Sequence, residues 1–280
     1  MPIFGVESHL CVLFFINLLH GGEFFRTFAQ NIKNMPQKKT YLLLLLLLFV
    51  FALPSHAKKK EKRAVVRMET SCGVIRVALF DETPIHRDNF LKLASKGFFD
   101  GTLFHRCIKD FMIQGGDPDS RNAKKGQLLG ESDAGYKLYP EFCLPYLYHW
   151  RGALAAAREG DDVNPDQLSS SSQFYIVYGK KQTPADIRKV RSSLSEKGID
   201  LTRQMIDDYE MRGGTPHLDG QYTVFGEVIE GMDVVKQIQA VATDKNNRPL
   251  EDVIILKMKI EQYSKVKPKT KRVPKRCVLG

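Results

Sequence analysis

Between Val65 and Phe80 apolar and polar residues alternate in two runs, VVRMET and VIRVALF, separated by Ser71-Cys72-Gly73. Alternation at period two sets one face of a strand on a core, and two such runs around a short glycine-containing break predict a β-hairpin. Thr83-Pro84 then opens a helix, with threonine as cap and proline at the first helical position. Phe90, Leu91 and Ala94 supply its apolar stripe and Gly97 ends it. Short β segments are predicted at Thr102–Arg106, Phe111–Gln114, Gly152–Ala157, Gln173–Tyr178 and Thr223–Val228, a second short helix at Gly231–Ile238, and a closing strand at Val253–Ile260. Many short strands with turns between them and only two helices predict a mainly β domain, a closed β-barrel.

One segment breaks this rhythm. Thr183–Arg212 is charged and helical in period. Thr183-Pro184 repeats the cap-and-proline start, Ile187, Val190 and Leu194 form one stripe, and Gly198 interrupts it. Leu201, Met205, Ile206 and Tyr209 form a second stripe that stops at Gly213-Gly214. The pattern predicts a helical hairpin inserted over 183–212, separable from the β domain.

The ends of the chain differ from its middle. In residues 35–57, Lys38 and Lys39 precede an unbroken apolar stretch, Tyr41–Leu53, then Pro54 and Ser55-His56-Ala57. That is the three-part order of a secretory signal peptide, and the stretch is short for a bilayer-spanning helix, which needs about 20 apolar residues. A second apolar run, Leu10–Leu19, lies in residues 1–34. A start at Met35 would give a standard secreted precursor; translation of 1–34 would give an N-terminal membrane anchor instead. The expected location is therefore periplasmic or secreted, with membrane proximity through the leader as the variant.

The formal charge of the 280-residue chain is +10. It sits in a basic linker at 58–63 (KKKEKR) and a basic, disordered tail at 264–280, whereas 64–263 carries a small acidic excess. A nucleic-acid footprint belongs on the domain itself, so no nucleic-acid partner is expected of the core. The five cysteines show no C-x-x-C spacing, and their pairing does not follow from sequence. Neither metal nor cofactor is expected.

Residues 104–118 read FHRCIKDFMIQGGDP. This block resembles the centre of the cyclophilins, a family of peptidyl-prolyl cis/trans isomerases. NFLKLASKGFFDGTLFHR leads into it, and RGALAAAR at 151–158, SSQFYIV at 171–177 and HLDGQYTVFGEVIEGMDVV at 217–235 continue the resemblance in order. It covers about 64–263 without the insertion. The resemblance implies a flattened, closed eight-stranded antiparallel barrel capped by two helices, with a substrate groove on its outer face. It places the catalytic arginine at Arg106 and the groove wall at Phe111, Met112 and Gln114. Ala157 and Gln173 take backbone- and side-chain-binding positions, Tyr175 the floor beneath the proline ring, and Leu218 the far edge.

Those residue types suit the chemistry. Rotation about a peptide bond faces about 18–20 kcal/mol because the C–N bond is partly double, and at proline the exchange is slow although the two isomers are close in energy. No bond breaks, so the task is to hold the twisted amide better than either planar form. An arginine aimed at the prolyl nitrogen weakens the amide resonance, an apolar pocket grips the ring, and Gln114 binds the rotating carbonyl or orients Arg106. The sequence departs from the best-known eukaryotic members at the rim: His217 stands for a tryptophan, Tyr222 for a histidine, and Arg158 for an asparagine. Without the indole donor, binding of the family's cyclic-peptide inhibitor cyclosporin is expected to be weak. The expected function is a prolyl isomerase assisting the folding of exported proteins, acting on proline-containing polypeptides. The alternatives are a module that binds proline segments and a chaperone-like scaffold with incidental catalysis.

Overall fold

A computed structural model describes residues 61–266. The leader, the first residues of the basic linker and the tail beyond 266 lie outside the described residues. The architecture is mainly β. Its strands are β1 Glu61–Thr70, β2 Gly73–Leu79, β3 Arg106–Ile108, β4 Met112–Gly115, β5 Lys137–Leu138, β6 Ala153–Ala156, β7 Ser169–Ser170, β8 Phe174–Val177, β9 Val224–Glu230 and β10 Ile255–Val266. Four helices are described: α1 Pro84–Ser95, α2 Pro184–Ser195, α3 Arg203–Met211 and α4 Met232–Ile238. Eight strands form one antiparallel sheet in the order β10-β1-β2-β9-β6-β8-β4-β3, while β5 and β7 pair separately.

The expected closed barrel is corrected to a half-barrel. The edge strands β10 and β3 share no ladder and approach each other only through a bridge between Leu103 and Ile254, with backbone bonds such as Phe104 N to Val253 O at 2.9 Å. The segment Thr102–Arg106, expected as a strand, is mostly this irregular seam, and β3 begins only at Arg106. A three-residue strand offers too few ladder bonds to complete a barrel by pairing.

Alternation divides the central strands between two cores. From β8, Phe174 and Ile176 enter an inner core with Val66, Met68, Ile75, Val77, Phe90, Leu154 and Phe225. Their neighbours Tyr175 and Val177 enter an outer core with Met112, Trp150, Ala153 and Ala155. Successive side chains point to opposite faces of a strand, so the unbroken apolar runs ALAA and FYIV require cover on both sides. Phe90 ties the inner core together, with its ring centroid 5.1 Å from that of Phe99 and 5.4 Å from those of Phe174 and Phe225.

Helix α1 follows the expected stripe, but its cap differs. The Thr83 side chain makes no capping bond. The carboxylate of Glu141 instead accepts from the backbone of Ile85 at 3.1 Å and His86 at 3.0 Å and pairs with His86 Nδ1 at 2.7 Å. The exposed amides at a helix start favour an anion, and here a distant loop supplies it. The basic linker also needs revision, because Glu61, Lys62 and Arg63 belong to β1. Arg63 is buried, paired with Glu227 at 3.3 Å and stacked over Phe80. Cys72 and Cys107 are free, and Cys143 is disulfide-bonded.

The insertion folds as the predicted pair of helices. Thr183 and Asp186 form a reciprocal capping box on α2, and Thr202 caps α3 through Met205 N. Its two ends meet at a neck where Gly179 and Gly214 pack backbone to backbone. A Cβ on Gly179 would lie 2.5 Å from Gly214, and one on Gly214 would lie 2.3 Å from the His149 carbonyl oxygen. The hairpin does not form a core of its own, contrary to the separability that the sequence pattern implied. Ile187, Leu194, Leu201, Met205 and Tyr209 are buried in the same outer core as Trp150 and Tyr175. Met205 is fully buried. Met205→Ala is expected to destabilise the fold by about 2–5 kcal/mol, the range for truncating a large buried side chain. Urea unfolding followed by circular dichroism measures this; a loss below about 0.5 kcal/mol, the scale of a neutral surface change, would return the hairpin to the status of a surface decoration.

Candidate active site

The cross-strand register builds a row of side chains on the outer face. Arg106 of β3 lies opposite Gln114 of β4, Gln114 opposite Tyr175 of β8, and Tyr175 opposite Ala155 of β6. The row runs from the sheet edge inward, so its first member is half-buried and its floor fully covered. Beyond it, the short 3₁₀ turn Pro216–Leu218 brings Leu218 over the same face, followed by Tyr222. Together these side chains line a cleft of about 280 Å³, a size suited to one residue rather than to a large ligand.

Of the residues singled out by sequence, Arg106, Phe111, Met112, Gln114, Ala157, Tyr175, Leu218 and Tyr222 all line this cleft. Gln173 joins it from behind, through Gln114. His217 stands outside the cleft on the rim, its ring stacked 5.5 Å from that of Phe111 at 29°. Desolvation on the covered face, and secondarily the His149 ring, hold the His217 imidazole below its ordinary pKa.

A continuous hydrogen-bonded line orients the arginine. Arg106 Nη1 donates to Gln114 Oε1 at 3.2 Å, and Gln114 Nε2 donates to Gln173 Oε1 at 3.0 Å. Gln173 Nε2 donates to the carbonyls of Gly130 at 2.7 Å and Ser132 at 2.8 Å. Each amide therefore has one orientation, and only one of the guanidinium's several N–H donors is spent on Gln114. The Gln114 side chain is thus bonded to Arg106, the contact that an orienting role requires. Partial burial lowers the Arg106 pKa, yet an arginine stays protonated at physiological pH. A fixed cation thus faces the apolar and aromatic side chains of Phe111, Met112, Tyr175 and Leu218 across the cleft.

Arg158, the rim residue that departs from asparagine, is held in place. Its Nε donates to the Gln221 carbonyl at 2.8 Å, its Nη1 pairs with Asp161 at 2.6 Å, and its guanidinium lies 4.6 Å from the Tyr222 ring centroid. It supports Tyr222 by a cation–π contact. Tyr222 in turn meets Tyr175 edge-on, with centroids 6.0 Å apart.

His105, Leu129 and Gly130 also line the cleft and were not singled out from sequence. His105 lay inside the FHR block, where adjacency to Arg106 was the available signal. Burial, and then the charges of Arg106 and Arg248, push its pKa down to about 4, so it is a neutral wall at physiological pH. Leu129 and Gly130 sit in a loop without periodicity, which gave no signal at all.

Comparison with known proteins agrees with this arrangement. Residues 65–260 match the family described as cyclophilin type peptidyl-prolyl cis-trans isomerase/CLD. A putative peptidyl-prolyl cis-trans isomerase of Staphylococcus aureus is 35% identical over 198 residues, covering 70% of this chain and 91% of the relative. A putative bifunctional phosphatase/peptidyl-prolyl cis-trans isomerase of Streptococcus pyogenes is 36% identical over 193 residues, and the match spans only 37% of that longer protein. Among solved structures, a Cryptosporidium parvum cyclophilin type peptidyl-prolyl cis-trans isomerase matches at a TM-score of 0.52 and 27% identity, over 72% of this chain and 99% of the other. The same enzyme crystallised in the presence of the dipeptide Ala-Pro matches at 0.51, over 71% of this chain and 99% of the other.

Proposed function

Because the chain belongs to the cyclophilin-type peptidyl-prolyl cis-trans isomerase family, and its reaction is the isomerisation of peptidyl-prolyl bonds, we propose that the cleft on the outer face is where it binds and turns its substrate. The observation that supports this most is the placement of Arg106, oriented by Gln114, beside Phe111, Met112 and Leu218 in a cleft floored by Tyr175. In this reading the proline ring rests on Tyr175 between Phe111, Met112 and Leu218, with the preceding residue along Ala157 and Gln173. The dipeptide of the Cryptosporidium enzyme has the chemistry this pocket would accept.

The planar amide is stabilised by donation of the nitrogen lone pair into the carbonyl. As the bond twists, that lone pair returns to nitrogen and can accept a hydrogen bond. An Arg106 N–H aimed at the nitrogen is therefore stronger in the twisted state than in either planar state, which is the condition for acceleration. Gln114 and Gln173 hold the guanidinium in place beforehand, so little reorganisation is needed when the bond turns. The apolar walls keep water from competing for the nitrogen.

We further propose that the substrates are exported proteins and that the mature protein is periplasmic or secreted. The signal-like order of residues 35–57 supports this reading.

Two measurements test these proposals. Arg106→Ala is expected to reduce kcat/KM on a proline peptide by at least ten-fold, about 1.4 kcal/mol of transition-state stabilisation, with little change in Tm because Arg106 is half-buried at a sheet edge. Equal activity in variant and parent would remove Arg106 from the mechanism. An active parent also separates the enzyme from a module that only binds proline segments. For export, mass spectrometry of the purified cell-envelope protein is expected to find a mature N-terminus near Lys58; peptides from residues 1–34 would exclude cleavage of a precursor beginning at Met35.

A further inference from the structure

The floor of the cleft is joined to the inserted helices by a buried line of hydrogen bonds. The Tyr175 hydroxyl meets His149 Nε2 at 2.9 Å, and His149 Nδ1 meets Asp219 Oδ1 at 2.9 Å. Asp219 Oδ1 also accepts from the His149 backbone at 2.9 Å, and Asp219 Oδ2 accepts from the Tyr209 hydroxyl at 2.7 Å. Tyr209 belongs to α3, the second helix of the insertion. All four side chains are buried.

The chemistry of the groups fixes the direction of the bonds into Asp219. A buried carboxylate needs donors, so His149 presents Nδ1–H to Asp219. His149 Nε2 is then left to pair with the Tyr175 hydroxyl at the pocket floor. Burial, reinforced by Asp219, keeps both tyrosines well above the ordinary phenol range, so both remain donors. The His149 ring also lies nearly parallel to that of Tyr175, at 11° and 6.0 Å between centroids. The orientation of the pocket floor thus depends on an imidazole, whose position depends on a carboxylate, one oxygen of which is held by the insertion.

We infer that Tyr209, Asp219 and His149 are positioning residues that make the inserted hairpin set the fit of the prolyl pocket through the Tyr175 hydroxyl. The inference rests on the cleft being the prolyl site. Without the Tyr209 hydroxyl, Asp219 Oδ2 loses its partner and the carboxylate is held through Oδ1 alone, so the tilt of His149 and Tyr175 is less tightly set. The effect falls on how tightly the ring is held, not on the cation that acts on its nitrogen.

A second tyrosine provides the control. The Tyr148 hydroxyl donates to Asp208 of α3, so it also fastens the hairpin, but it has no bond to the line that ends at Tyr175. Steady-state turnover of a proline peptide is measured for the full chain, Tyr209→Phe, Tyr148→Phe, Tyr175→Phe and the Tyr175→Phe/Tyr209→Phe pair. Tyr209→Phe is expected to raise KM about five-fold while kcat stays within about two-fold, the pattern of lost uniform binding. Tyr148→Phe should leave KM unchanged, and Tyr209→Phe should add nothing in the Tyr175→Phe background, since both changes break one line. An unchanged KM in Tyr209→Phe, an equal effect of Tyr148→Phe, or a full added effect in the double variant overturns the inference while the parent still turns over. An inactive parent would overturn the prolyl-site reading as well. Should Tyr209→Phe not fold, spectra of the parent labelled with [ζ-¹³C]tyrosine decide the question. Saturating Ala-Pro-containing peptide is expected to shift Tyr175 and Tyr209 and leave Tyr148 in place; an unmoved Tyr209 overturns the inference.

Discussion

Every side chain of β6 and β8 is buried, and the period-two geometry of a strand turns that into a demand for two cores, one on each face. The inner face meets the demand with α1 and the aromatic cluster around Phe90. The outer face meets it with the loop through Tyr148 and Trp150 and with the inserted α2 and α3. The cleft lies where outer cover gives way toward the sheet edge, at the short strands β3 and β4. A face that is dry under the hairpin and open at Arg106 has a buried floor and a solvent-accessible mouth. A site that grips a ring while allowing the rest of the chain to turn requires that combination.

Within the cleft the polar and apolar halves have separate supports. Arg106, Gln114 and Gln173 form one hydrogen-bonded line ending on the carbonyls of Gly130 and Ser132. Tyr175, His149, Asp219 and Tyr209 form another ending in the insertion. The first fixes where positive charge is presented; in the proposed reading the second sets where the ring sits. Buried polar groups must find partners or lose the free energy of desolvation, so each line is either complete or costly, and both are complete from the pocket to a backbone carbonyl or a phenol. On the proposed reading, this division would let affinity for the ring vary without altering the group that acts on the nitrogen.

Much of this was legible in the residues. Alternation gave the β1–β2 hairpin, helical period gave α1 and the insertion's two stripes, and the ordered blocks gave the residues that meet in the cleft. The misses have physical reasons. Whether the sheet closes depends on the ladder bonds between its edge strands, and the irregular seam between Thr102–Phe104 and Val253–Ile255 that stands in their place is not encoded by hydrophobicity. The cap of α1 comes from Glu141, 55 residues after His86, and the local pattern Thr83-Pro84 pointed to a nearer one. Arg63 looked like part of a solvated charge run, yet its partner Glu227 is remote in sequence. The insertion's apolar stripes were visible, whereas the surface they cover was not, because Trp150 and Tyr175 lie far along the chain. The continuous runs ALAA and FYIV held the missing signal, since strands apolar at every position need cover on both faces.

The central claim is that a prolyl residue occupies the outer-face cleft with its nitrogen toward Arg106. A crystal structure of the protein soaked with the dipeptide Ala-Pro tests it most directly. The account predicts density for the proline ring on Tyr175, bounded by Phe111, Met112 and Leu218, with an Arg106 N–H directed at the prolyl nitrogen. Density for the dipeptide elsewhere on the molecule with this cleft empty, or a ring seated in the cleft with Arg106 turned away from its nitrogen, would contradict it.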